Sequence, residues 1–67
     1  MIFKERINEA LKTTTMTQKE VAEKCGIHPS CLTQYKKGES EPSLKTLYEL
    51  CKALDISADY LLGLSEM

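Results

Sequence analysis

Between Thr17 and Gly38 the chain reads TQKEVAEKCGIHPSCLTQYKKG, two short amphipathic helical patterns joined at a glycine, and this segment constrains the fold more than any other. Thr17 stands where its hydroxyl can accept from the N–H three residues on, and Glu20 at that third position can reach back to the Thr17 N–H, the reciprocal arrangement of a capping box. Val21, Ala22 and Cys25 recur on one face of a 3.6-residue helix, with Gln18 at the near end of that face. Gly26 follows at once, where a left-handed residue stops a helix and turns the chain, a conformation glycine adopts without steric cost.

The second pattern restarts within three residues. His28 falls at an N-cap and Pro29 at the first helical position, where its missing N–H is no loss and its fixed φ is already helical. At about 100° per residue, Leu32 and Tyr35 define an inward face while Ser30, Thr33, Gln34 and Lys37 gather on the opposite side. The result is the spacing of a helix-turn-helix whose second helix turns small hydroxyls, an amide and a cation outward. Such side chains can enter a major groove, since an amide can pair bidentately with adenine and Ser or Thr with several bases.

Flanking patterns complete an all-α architecture. Residues 2–12 predict an opening helix with Phe3, Ile7, Ala10 and Leu11 on one face, followed by a short loop at the threonines 13 to 15. Ser43 predicts the cap of a fourth helix with apolar positions Leu44, Leu47, Leu50, Cys51 and Leu54, and Pro42 helps to fix its start. Ser57 predicts the cap of a short fifth helix carrying Tyr60, Leu61 and Leu64 and closed by Gly63. No strand pattern occurs, so the expectation is a five-helix bundle forming one domain over residues 1–67, with the motif at 17–38.

The stretch TQKEVAEKCGIHPSCLTQYKKGESEPSLKTLYELCKALDISADYLLG, Thr17 to Gly63, resembles the XRE family of helix-turn-helix proteins, which includes the phage repressors and Cro proteins. The matching places are Thr17, Gln18, Ala22, Gly26, Leu32, Tyr35, Gly38, Pro42 and Ser43. The resemblance implies a lambda-repressor-like fold and, at Gln18, a glutamine that bridges the recognition helix to a phosphate. Two departures stand out. Family members often carry arginine just after the N-cap of the recognition helix, where this chain has Pro29. The loop beyond that helix, often basic in the family, reads Glu39-Ser40-Glu41, and carboxylates near phosphates carry an electrostatic cost.

A chain of 67 residues buries only about 60% of its unfolded surface, which favours added burial in a dimer. The net charge of −1 is unusual for a nucleic-acid binder, but it is unevenly distributed. Up to Ser40, seven Lys or Arg stand against five Glu; from Glu41 on, two Lys stand against five acids. The positive half carries the motif. Phe3 is followed at once by Lys4, Glu5 and Arg6, so no signal peptide develops, and no apolar run approaches a membrane span. The expected location is cytoplasmic, with no membrane partner.

Three cysteines and one histidine raise a metal reading, Cys25-x2-His28-x2-Cys31 with Cys51. Against it, the turn at Gly26 interrupts the array, and Cys25 and Cys51 fall on inner faces, where a thiol behaves as a small hydrophobe. Cys31 flanks the inner face and is expected to be partly exposed. An odd cysteine count without a secretion signal argues against a disulfide framework. His28 is open to a pH-sensitive cap, a phosphate contact or plain solvation. No nucleophile with a base and no phosphate loop is present, so neither a catalytic residue nor a cofactor is expected.

The function expected is sequence-specific binding of double-stranded DNA by a small transcriptional regulator acting as a repressor. Ser30, Thr33 and Gln34 are the candidates for base contacts. Thr17, Gln18, Lys19, Lys36 and Lys37 are those for phosphates, with Lys12 a weaker one and the helix start at Thr17 offering backbone N–H groups. Tyr60, Leu61, Leu62, Leu64 and Met67 are more apolar groups than a short helix can turn inward. Tyr60, Leu62, Leu64 and Met67 are therefore expected at a homodimer interface, matched to a pseudo-palindromic operator with half-sites about 10 base pairs apart. The alternative is a protein-interaction module of the same fold, an antitoxin or anti-repressor partner, using the acidic carboxyl half.

Overall fold

The computed structural model describes residues 2–66. Its helices are α1 Phe3–Thr13, α2 Gln18–Cys25, α3 Pro29–Lys37, α4 Leu44–Leu54 and α5 Ala58–Leu62, and no strand occurs among the described residues. Four of them start at the caps the sequence marks. The Thr17 hydroxyl accepts from the Glu20 N–H at 3.1 Å while a Glu20 carboxylate oxygen accepts from the Thr17 N–H at 2.9 Å. His28 Nδ1 accepts from the Ser30 N–H at 3.1 Å, and Ser43 and Ser57 cap through their hydroxyls to Thr46 and Tyr60. Each bond satisfies one of the first-turn donors that a helix leaves without an internal partner.

Helix ends are equally specific. Gly26 at φ 69° and Gly38 at φ 77° stop α2 and α3 in the left-handed region. At α4 the same task falls to Asp55, with φ 55°, a residue whose short polar side chain tolerates that conformation. The first helix runs one residue past its expected end at Lys12, taking in Thr13, whose hydroxyl donates back to the Ala10 carbonyl at 3.2 Å.

The principal packing contacts run from α1 to α3, α3 to α2, α2 to α4, α4 to α5 and α5 back to α1, closing a ring of helices around one core. Every helix places one large, fully buried aliphatic side chain there: Ile7, Val21, Leu32, Leu50 and Leu61. Phe3 and Tyr35 meet edge to face at a centroid distance of 6.2 Å, joining α1 to α3. Leu44 departs from expectation, because it is 86% exposed. It lies roughly 120° around the wheel from Leu50, in the first turn of α4, so it points out of the ring. Leu64 also departs: α5 ends at Leu62, and Leu64 follows Gly63 with 75% of its surface exposed.

Arg6 fastens the end of the chain to α1. Its guanidinium donates to the carbonyls of Tyr60 at 3.3 Å and Ser65 at 3.1 Å and lies 4.3 Å over the Tyr60 ring. Among the described residues no helix is long and apolar enough to cross a membrane.

Candidate nucleic-acid interface

Leu32 and Tyr35 hold α3 against the core, and the 3.6-residue period then dictates what faces water. Ser30, Thr33, Gln34 and Lys37 are all exposed on the opposite side of the same nine-residue helix. Three of these, Ser30, Thr33 and Gln34, are the expected base-contacting residues, and α3 presents them together.

At the start of α3, His28 does more than cap. Its Nδ1 also lies 2.9 Å from the Ser30 hydroxyl oxygen. Accepting at Nδ1 requires the ring proton to sit on Nε2, so the ring organises Ser30 on one side and offers a donor on the other. At the far end, the Ser40 hydroxyl donates to Gln34 Oε1 at 3.4 Å. The Asn8 amide donates to the Lys36 carbonyl at 2.9 Å and to the Lys4 carbonyl at 2.8 Å. The aliphatic stem of Lys4 lies where a side chain at Gly38 would start, 3.1 Å from that point.

The expected phosphate residues divide by setting. Thr17, Lys19 and Lys37 are exposed, whereas Gln18 and Lys36 are half-buried. The Thr17 and Glu20 N–H groups are already engaged in the capping box, so the first-turn donors left for an incoming anion are those of Gln18 and Lys19. The Thr17 backbone N–H, and after it the Thr17 hydroxyl, favour the charged Glu20 carboxylate and lower its carboxyl from the usual range. Lys12 is exposed in the last turn of α1, where its charge suits the helix dipole.

The expected dimer residues belong to α5 and the segment after it. Tyr60 and Leu62 are half-buried and Leu64 is exposed, while Met67 lies outside the described residues. Tyr60 also donates its hydroxyl to Glu9 at 3.4 Å. Leu62 lines a mostly apolar groove of about 180 Å³ with Phe3, Glu41, Pro42, Leu44 and Leu47. Burial raises the thiols of Cys25 and Cys51 above their usual range, and Cys31 is half-buried on α3.

Asn8, Ser40 and Arg6 escape sequence reasoning. Asn8 sits one place after Ile7 on an ordinary amphipathic helix, and its partner is 28 residues away. Ser40 lies in a loop whose acidic neighbours dominate any reading by charge. Arg6 carries no periodic signal that distinguishes it from a solvated cation.

Comparison with known proteins agrees with this fold. The helix-turn-helix family profile matches residues 7–61. The uncharacterized HTH-type transcriptional regulator YqaE of Bacillus subtilis is 39% identical over 61 residues, 91% of this chain and 53% of its own length. The cryptic phage CTXphi transcriptional repressor RstR of Vibrio cholerae is 35% identical over 63 residues, 94% of this chain and 56% of its own. The chain thus spans about half the length of the curated relatives it matches. A crystal structure of the P22 c2 repressor in complex with a synthetic operator superposes with a TM-score of 0.83 at 31% identity, covering 91% of this chain and 92% of that one. With the family's profile covering most of the ring of helices and the fold shared with a phage repressor, this chain belongs to the helix-turn-helix family.

Proposed function

We propose that the chain binds double-stranded DNA sequence-specifically as a transcriptional regulator, acting as a repressor, with α3 in the major groove. The observation that carries this reading is the single exposed face of α3, where Ser30, Thr33, Gln34 and Lys37 project together from a helix capped at both ends. In this reading Ser30, Thr33 and Gln34 meet base edges, and Thr17, Gln18, Lys19, Lys36 and Lys37 hold the phosphate backbone to either side. The operator complex of the P22 c2 repressor, a protein of the same fold, supports it. The name of RstR supports repression as the direction of control.

The functional unit in this proposal is a two-fold homodimer joined near the end of α5, through Tyr60, Leu62, Leu64 and Met67. Support comes from the exposed Leu64 and from the mostly apolar groove beside Leu62. Two copies related in this way hold their α3 helices about 34 Å apart, one turn of duplex.

Selection of bound sequences from a random duplex library tests the reading. Enrichment of a pseudo-palindrome with half-sites centred about 10 base pairs apart is the expected result. A library that emerges unenriched contradicts it.

A further inference from the structure

The loop after α3 grips Gln34 twice. The Gln34 carbonyl accepts from the Glu39 N–H at 2.9 Å while the Gly38 N–H closes on the Tyr35 carbonyl at 3.1 Å, the paired bonds that end a helix at a left-handed glycine. This reversal brings Ser40 back alongside the helix, where its hydroxyl meets Gln34 Oε1 at 3.4 Å. Gln34 is exposed and Ser40 half-buried, so the bond lies at the rim of the face that α3 presents. A carboxamide carries its acceptor and its two donors on opposite arms of one plane. Turning the oxygen to the loop therefore turns Nε2 outward.

We propose that Ser40 is a positioning residue that sets the hydrogen-bonding polarity of Gln34. With Oε1 held by the Ser40 hydroxyl, Gln34 meets the groove through its Nε2 donors. It then selects an edge that presents acceptors, guanine with N7 and O6, over adenine, which an unrestrained amide reads with its oxygen and nitrogen together. The bond strengthens on docking, because the groove replaces surrounding water with a medium of lower dielectric constant. This inference rests on the reading of Gln34 as a base-contacting residue.

Library selection with the parent chain, Gln34→Ala, Ser40→Ala and Ser40→Thr tests it. The base position that loses its preference in Gln34→Ala is the one Gln34 reads. There the parent prefers guanine. Ser40→Ala lowers the guanine-to-adenine ratio by about fivefold or more, the scale of one base contact, and leaves the other positions unchanged; Ser40→Thr, which keeps the hydroxyl, retains the parent ratio. If Gln34→Ala alters one position and Ser40→Ala does not, the positioning role is overturned while the base-contact reading stands. A uniform fall in affinity with Ser40→Ala, at unchanged preference, makes Ser40 a backbone contact and also overturns it. If Gln34→Ala alters no position, or the parent enriches no sequence, the underlying reading fails and the inference with it.

Discussion

The Asn8 side chain donates to the Lys36 carbonyl at 2.9 Å, so a residue in the middle of α1 closes the last turn of α3. The last carbonyls of a helix have no internal partner. In α3 those of Gln34 and Tyr35 are met by the Glu39 and Gly38 N–H groups, and that of Lys36 is met by Asn8. The end of the proposed recognition helix is thereby tied to α1.

Removing that tie leaves a half-buried carbonyl unpaired. Asn8→Ala is expected to destabilise the chain by about 1–2 kcal/mol, read as a lower midpoint in urea at unchanged slope. Asn8→Asp, which replaces the donating nitrogen by an oxygen, should cost at least as much. An unchanged midpoint in both variants would show that water serves the Lys36 carbonyl equally well.

The capping box at Thr17 makes stability depend on acid. Because the Thr17 N–H and hydroxyl favour the charged form of Glu20, its carboxyl titrates below its usual range in the folded chain. The unfolded chain then binds this proton more readily, so the contribution is complete above the ordinary glutamate range and is lost as pH falls through the lowered folded value. Glu20→Gln keeps a neutral acceptor at the same place. Thermal unfolding of both chains between neutral pH and about pH 3, below the ordinary glutamate range, should show a smaller acid loss in Glu20→Gln; parallel curves would remove Glu20 from the account.

The acidic loop sets a second electrostatic expectation. Glu39 and Glu41 are exposed beside the end of α3, and in the proposed complex they lie near the DNA backbone. Glu39→Gln and Glu41→Gln together should strengthen binding without altering base preference. The gain should fade at high salt, since screening acts over about 8–10 Å at moderate ionic strength. Equal affinities at low salt would show that this loop points away from the duplex.

Leu64 offers the cleanest test of the proposed dimer, because it is 75% exposed and its loss leaves the core intact. Sedimentation should give a dimeric parent and a largely monomeric Leu64→Asp with unchanged helical circular dichroism. A parent that stays monomeric across the micromolar range would argue against this interface.

Local chemistry made most of the fold legible. Thr17, His28, Ser43 and Ser57 announce helix starts because the capping partner lies two or three residues away, and Gly26 and Gly38 announce ends because few other residues take a positive φ. Leu44 misleads because an apolar residue at a helix start satisfies a one-dimensional pattern wherever its side chain points. The Asn8, Arg6 and Ser40 contacts stayed hidden for a different reason: each depends on how the ring of helices closes or how a loop folds back, which no local pattern encodes. The exposed face of α3 was legible because Leu32 and Tyr35 fix its inner side and leave the rest no choice.

The salt dependence of binding to the selected duplex bears most directly on the central claim. In the proposed dimer, Lys19, Lys36 and Lys37 of each protomer would give about six phosphate contacts, so log affinity should fall against log salt with a slope of about −5. A scrambled duplex should bind about a thousandfold or more weakly at physiological salt. An affinity that is flat in salt, or equal for the selected and scrambled duplexes, would contradict a groove-reading role for α3.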